Sequence, residues 1–200
     1  MAYRVFLALV LIVSAYFAFE TIRFKFIQHS LVNADQEYVL GNPDGDVTFV
    51  KFLDYSCIYC RDAHPIIEQA LSQDGRVKFL PKPVAILGED SRKAALLAYA
   101  AGKQGKFAEM HDAIMDNFRV ISDRVIQDLA LEIGADAQQL IADYNSDAVL
   151  EVFEKNVDSF RDYNMVATPT YAVGPNILFT PNDDIGVQDF LKVFDEARNQ

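Results

Sequence analysis

Apolar residues open the chain as one unbroken run and afterwards recur with two different periods. Val5 to Phe19 (VFLALVLIVSAYFAF) carries no charge and follows Arg4. As a helix these fifteen residues reach about 22 Å at ~1.5 Å each, short of the ~30 Å hydrocarbon core of a bilayer. Adding Ala2 and Tyr3, with Arg4 snorkelling, brings the segment to the lower limit for spanning. Two readings fit residues 1–19: an uncleaved signal-anchor or a cleaved signal peptide. Val13-Ser14-Ala15 offers the small residues of a cleavage site, although bulky Tyr16 and Phe17 follow. Arg23 and Lys25 behind the run weaken a positive-inside argument for export. We expect export with residues 2–19 retained as a membrane tether, and residues 20–37 as a connecting stalk.

From Tyr38 onward the pattern is that of a folded body. Val47 to Tyr55 (VTFVKFLDY) is β-branched and aromatic and follows the turn cluster Asn42-Pro43-Asp44-Gly45, which predicts a buried strand. Beyond Cys57, Ile58, Ile66, Ile67, Ala70 and Leu71 recur at helical spacing until Gly75, with a kink expected at Pro65. Val77 to Leu80 predicts a second strand, stopped by Pro81 and Pro83. A helical block follows over about 88–163. Ser91 is its first candidate cap, Gly105 and Gly134 are breaks, and Ser122 or Asp123, then Asp136 and Ser146, are further starts. Strand signals return at Thr170–Val173 and Ile177–Phe179, joined by Gly174-Pro175-Asn176 as a hairpin turn, before a last helix over Val187–Ala197. This is an α/β layout with helices inserted into its middle. Neither β half could build a sheet alone, so residues 38–200 read as one domain.

Composition supports a packed core and narrows the partners. Of 200 residues 51% are apolar and 24% charged, which excludes a wholly disordered chain. The net charge is −11, and residues 31–200 hold 28 acidic against 15 basic side chains. Such a body is repelled by phosphate backbones, so no nucleic-acid partner is expected.

The two cysteines fall within four residues, Cys57-Ile58-Tyr59-Cys60, where the pattern switches from strand to helix. A helix start presents unpaired N–H groups and a positive dipole end, both of which stabilise a thiolate. Cys57 is then the exposed nucleophile and Cys60, one turn deeper, the resolving thiol. Zinc at this pair is disfavoured, because two cysteines with His64 fall short of four ligands. A structural disulfide would close too small a loop to stabilise much. No metal or cofactor is expected.

These residues carry a resemblance. Phe52-Leu53-Asp54-Tyr55-Ser56-Cys57-Ile58-Tyr59-Cys60 with His64-Pro65 resembles the active-site region of the DsbA-like branch of the thioredoxin superfamily. Val166-Ala167-Thr168-Pro169-Thr170-Tyr171 resembles that family's cis-proline loop. Gln104-Gly105-Lys106-Phe107 and Met110-His111-Asp112 resemble its inserted helical subdomain. The resemblance implies a thioredoxin fold with a helical insertion, acting as a thiol–disulfide oxidoreductase on exported proteins in the bacterial cell envelope. It also implies a membrane redox partner. Thr168 and Pro169, with Ile58 and Tyr59, would form the substrate platform beside Cys57, Pro169 being cis. The same resemblance leaves two alternatives: an isomerase or reductase kept reduced by a membrane partner, and a substrate-binding holdase without catalysis.

Two departures from the family pattern bear on chemistry. Members often carry a buried acid six residues before the first cysteine, where this chain has Lys51. Two placements are open for it: beside the thiols, favouring thiolate, or snorkelling to solvent. The Ile58-Tyr59 pair and Thr168 look more like reductase and isomerase members than the strong oxidase, so a less oxidising site is expected. His64 is a further candidate for tuning the thiols, its other reading being a packing residue on the helix. His111 reads as packing within the helical block and Asp54 as a turn cap.

Overall fold

The computed structural model describes residues 10, 12–18, 31–32, 34–174, 177–181 and 185–199. Five strands form one sheet: β1 (Leu40–Gly41), β2 (Val47–Leu53), β3 (Val77–Pro83), β4 (Thr170–Val173) and β5 (Ile177–Phe179), in the order β1-β3-β2-β4-β5. β2 and β3 run parallel, and the other neighbouring pairs are antiparallel. The parallel pair needs a crossover, which α1 (Ile58–Asp62) and α2 (His64–Asp74) supply. Between β3 and β4 lie α3 (Glu89–Gly102), α4 (Phe107–Asp116), α5 (Asp123–Ile133), α6 (Ala137–Tyr144) and α7 (Asp147–Asp162), and α8 (Val187–Arg198) ends the described chain. The fold is mixed α/β with the helical insertion between the two β halves.

The strand period of two sorts β2 between layers. Val47 and Phe49 face α2 and α8, where they pack with Ile67, Phe79, Phe190 and Phe194. Val50 and Phe52 face the opposite layer with Leu80, Phe160 and Leu31. The third apolar cluster belongs to the insertion, yet it includes Leu53, Tyr55, Cys57 and Cys60 from the sheet end. The helical block thus roofs the end of the sheet where the cysteines sit. Ser122, Asp136 and Ser146 cap α5, α6 and α7, each side chain accepting the backbone N–H three residues on.

Three local expectations are corrected. β3 does not stop at Pro81 but runs through it to Pro83. Val84 donates its N–H to the Leu53 carbonyl at 2.8 Å, so alternation turns residues 78, 80 and 82 toward β2 and residues 81 and 83 away. On that far side β1 reaches only Lys78 and Phe79, and the missing proline N–H groups leave no bond unmade. Ser91 does not cap α3, which begins two residues earlier after Gly88. It is buried and donates its hydroxyl to Ser56 Oγ at 2.8 Å. Pro65 does not kink one helix; the chain divides at Ala63, and the proline occupies the first turn of α2, where no N–H is required.

Most of the expected anchor and stalk lies outside the described residues, as do Pro175 and Asn176 of the hairpin turn. Within them Val10, Ile12, Val13, Tyr16 and Phe17 are helical and exposed. No helix among the described residues is long and apolar enough to cross a membrane. The packed body starts before Tyr38, because Leu31 is already buried against the sheet.

Candidate active site

β2 ends at Leu53, and the next residue, Asp54, builds the turn that carries the cysteines. Its carboxylate is fully buried and accepts three backbone N–H groups: Ser56 at 2.8 Å through Oδ1, and Ile86 and Leu87 at 2.9 Å each through Oδ2. Its carbonyl accepts the Cys57 N–H at 3.0 Å. Asp54 therefore ties the cysteine turn to the loop after β3. The sequence reading of Asp54 as a turn cap covers one of these bonds; the other two join segments more than thirty residues apart.

Cys57 stands at the N-cap of α1 and Cys60 lies within it, both as buried free thiols. The expectation of an exposed Cys57 is corrected: it is only 6% exposed, its sulfur lying against the Thr168 carbonyl. The Thr168–Pro169 peptide is cis, and Cys57 Sγ lies 3.3 Å from the Thr168 carbonyl, to which its S–H donates. The structure thus brings together the two motifs that are 111 residues apart in sequence. The Cys57 pKa is lowered to about 6. Its hydrogen bond with the Cys60 thiol is the largest cause; burial opposes it, and the Thr168 side chain with the Cys60 and Tyr59 amides adds to the lowering. Burial drives the Cys60 thiol strongly upward, reinforced by its hydrogen bond to Cys57, with the Lys51 charge pulling it back. One thiol ionises near neutrality while its neighbour holds its proton.

Lys51 does not snorkel. It has no exposed surface, and its Nζ donates to the Cys60 carbonyl at 3.0 Å. Burial lowers its pKa to about 8, against the opposing pull of charge on Cys60 and Cys57. His64 is likewise buried, but it faces the insertion: its Nε2 lies 3.4 Å from Asp112 Oδ1 and its ring packs edge-on against His111. His111 is fully buried and its Nδ1 lies 2.9 Å from Tyr55 Oη. Burial, with the charges of His64 and Lys51, holds its pKa well below the usual imidazole value.

Around Cys57 the surface is apolar. Ile58 and Tyr59 are exposed, as are Ile86 and Leu87 on the loop held by Asp54, and Val166 just before the cis-proline loop. Sequence reading singled out Ile58 and Tyr59 and missed the other three. Nothing in the dipeptide Ile86-Leu87 marks it as exposed, since both residue types are usually buried; the Asp54 bonds locate the loop.

The comparisons agree with this geometry. Residues 33–193 match the thioredoxin family. A thioredoxin-like oxidoreductase from Silicibacter pomeroyi DSS-3 is 32% identical with a TM-score of 0.77, covering 86% of this chain and 97% of its own. The thiol-disulfide exchange protein alpha-DsbA2 from Wolbachia pipientis is 26% identical with a TM-score of 0.71, covering 88% and 97% respectively. Disulfide bond formation protein D of Bacillus subtilis (strain 168) is 28% identical over 161 residues, 74% of this chain and 72% of that protein. The chain also matches a Na(+)/H(+) antiporter of Salinispora arenicola over 86 residues, but spans only 13% of that relative's length. The chain belongs to the thioredoxin family and groups, by fold and relatives, with the DsbA-type thiol–disulfide oxidoreductases.

Proposed function

We propose that Cys57 and Cys60 exchange disulfides with the cysteines of exported proteins in the cell envelope. The observation that carries this reading is the placement of the pair at the start of α1, with Cys57 Sγ 3.3 Å from the carbonyl that precedes cis Pro169; the lowered Cys57 pKa accords with it. In the reducing direction the Cys57 thiolate attacks one sulfur of a substrate disulfide and expels the other as thiolate, which takes a proton. Cys60 then loses its proton, attacks Cys57 Sγ and releases the second substrate thiolate. Two electrons pass to the substrate and the protein is left with a Cys57–Cys60 disulfide; the oxidising direction reverses each step. The cis peptide at Thr168–Pro169 beside Cys57 and the exposed apolar residues Ile58 and Tyr59 support an extended substrate segment lying across the site.

The charge-free run at residues 5–19 supports an extracytoplasmic location with an N-terminal tether. A membrane protein that resets the cysteine pair is the partner this reading calls for. Neither residue between the cysteines is ionisable to a cation, which favours a less oxidising pair than the strongest oxidase and keeps the isomerase or reductase direction as the second reading.

Equilibration of the purified protein in glutathione buffers tests this. A potential of about −120 to −180 mV fits a disulfide donor or isomerase, whereas about −270 mV fits a reductase. Insulin reduction that survives Cys57→Ser would overturn catalysis by this pair and leave a binding protein.

A further inference from the structure

α2 and α4 meet through two imidazoles and a carboxylate that the thiol chemistry does not use. The His64 and His111 rings lie 5.3 Å apart between centroids, at 82° to one another. One ring nitrogen from each histidine and a carboxylate oxygen of Asp112 fall within 4.8 Å of one another. Both rings are more than nine-tenths buried, and His111 Nε2 has no hydrogen-bond partner among the described residues. His64 Nδ1 lacks one too, but it is His64 Nε2 that lies beside Asp112. A buried nitrogen without a partner calls for an explanation, and an absent ion is one.

We propose that His64, His111 and Asp112 bind a divalent metal ion of the zinc class. Two imidazoles and one carboxylate are a donor set suited to zinc, with a fourth position left for water. Bonds of ~2.0–2.1 Å place two tetrahedral ligands roughly 3.4 Å apart, which is the separation of His64 Nε2 from Asp112 Oδ1, 3.4 Å. Asp112 is half-exposed, so its carboxylate is free to close the wider separations. Tyr55 Oη, 2.9 Å from His111 Nδ1, is placed to accept that N–H, which leaves Nε2 with its lone pair as the ligand atom.

Asp112 also lines an open groove of about 560 Å³ together with Glu68, Leu71 and Ala108. This gives a cation a way in from solvent past acidic groups. The ion would join α2 to α4 of the inserted block, clamping the two parts of the fold together. This site differs from the cysteine-based one considered from the sequence: His64 is the residue they share, and the cysteines have no part in it.

The test is titration of Zn²⁺ into tag-free, chelator-stripped full-length protein with the Cys57–Cys60 disulfide closed, followed by calorimetry and by thermal unfolding. The expected result is saturation at one ion per chain and a higher unfolding temperature with Zn²⁺. Binding should weaken at least about tenfold in Asp112→Asn and in His64→Gln, and persist in the Cys57→Ser/Cys60→Ser double variant. Asp112→Asn alters a half-exposed side chain and keeps the test valid if the buried histidine variant fails to fold. Absence of saturable binding overturns the proposal. So does binding that Asp112→Asn leaves unchanged, or binding that depends on the two cysteines.

Discussion

Lys51 Nζ donates to the carbonyl of Cys60 at 3.0 Å with no surface exposed to solvent, placing a buried amine against the helix that carries the cysteine pair. Its cation favours charge on the cysteines, and charge on them in turn supports the cation. Closing the disulfide removes that charge and leaves the buried ammonium uncompensated. Lys51 therefore stabilises the reduced protein relative to the oxidised one. Lys51→Met is expected to make the disulfide less oxidising by about 30 mV or more, each 30 mV being about 1.4 kcal/mol for a two-electron couple. Lys51→Glu should also raise the cysteine pKa values. Unchanged potential and alkylation profiles in both variants would dispose of this role.

The division of labour between the cysteines makes a separate prediction. The Cys60 thiol is the largest cause of the lowered Cys57 pKa of about 6. Cys60→Ala removes that donor, so the midpoint of Cys57 alkylation against pH should rise by about one unit or more, roughly 1.4 kcal/mol of thiolate stabilisation. Cys60→Ser retains a hydroxyl donor and should fall between the two. Equal midpoints in all three proteins would mean that the backbone amides alone set the thiolate.

Much of this site was legible in the sequence, and the exceptions share a cause. The Cys57-to-Cys60 spacing at a strand-to-helix switch and the Thr168-Pro169 dipeptide are local signals. Their meeting, Cys57 Sγ to the Thr168 carbonyl, followed from the resemblance rather than from any period in the chain. Helix starts at Ser122, Asp136 and Ser146 were readable because capping is a contact three residues long. Pro81 and Pro83 misled because proline reports a missing N–H but not the direction that N–H would face. Lys51 was undecidable for a similar reason: alternation places it on a face, and only tertiary packing decides whether its amine reaches water. The His64–His111 contact depends on how the insertion folds back, which no local pattern encodes.

Asp54 should act on both stability and substrate affinity. Its carboxylate serves the amides of Ser56, Ile86 and Leu87, and the last two hold an exposed apolar segment beside Cys57. Asp54→Ala strands those amides and is expected to cost about 2–3 kcal/mol in denaturant unfolding. The loosened loop should raise KM for an unfolded protein substrate more than it lowers kcat. Leu87→Ser alters only an exposed side chain, so it should raise KM with a stability change within about 0.5 kcal/mol. A normal KM in both variants would take this loop out of the substrate platform.

The far end of the fold offers a prediction with a defined pH window. Arg198, at the end of α8, reaches Asp74 at the end of α2 through two bonds, Nη1 to Oδ2 at 2.8 Å and Nη2 to Oδ1 at 2.6 Å. Its Nε also donates to Asp46 at 2.9 Å, so one guanidinium fastens the last helix to α2 and to the turn before β2. The Asp74 side chain is almost wholly buried in this pair, and geometry of this kind is worth far more than an exposed ion pair. Hydrogen bonding from Arg198 is the largest cause holding the Asp74 pKa below its ordinary value of 3.8. A carboxylate depressed in the folded state binds fewer protons there than in the unfolded chain. Its contribution is therefore complete above the unfolded value and is lost as pH falls through the lower folded one. Arg198→Ala leaves Asp74 buried without its cation and should cost about 3 kcal/mol at pH 7. Unfolding measured from pH 6 down to pH 2 should show a smaller acid-induced loss in Arg198→Ala than in the parent, because the variant has already lost what acid removes. Parallel pH profiles, displaced by a constant, would show that Arg198 holds α8 by packing of its stem rather than by its charge on Asp74.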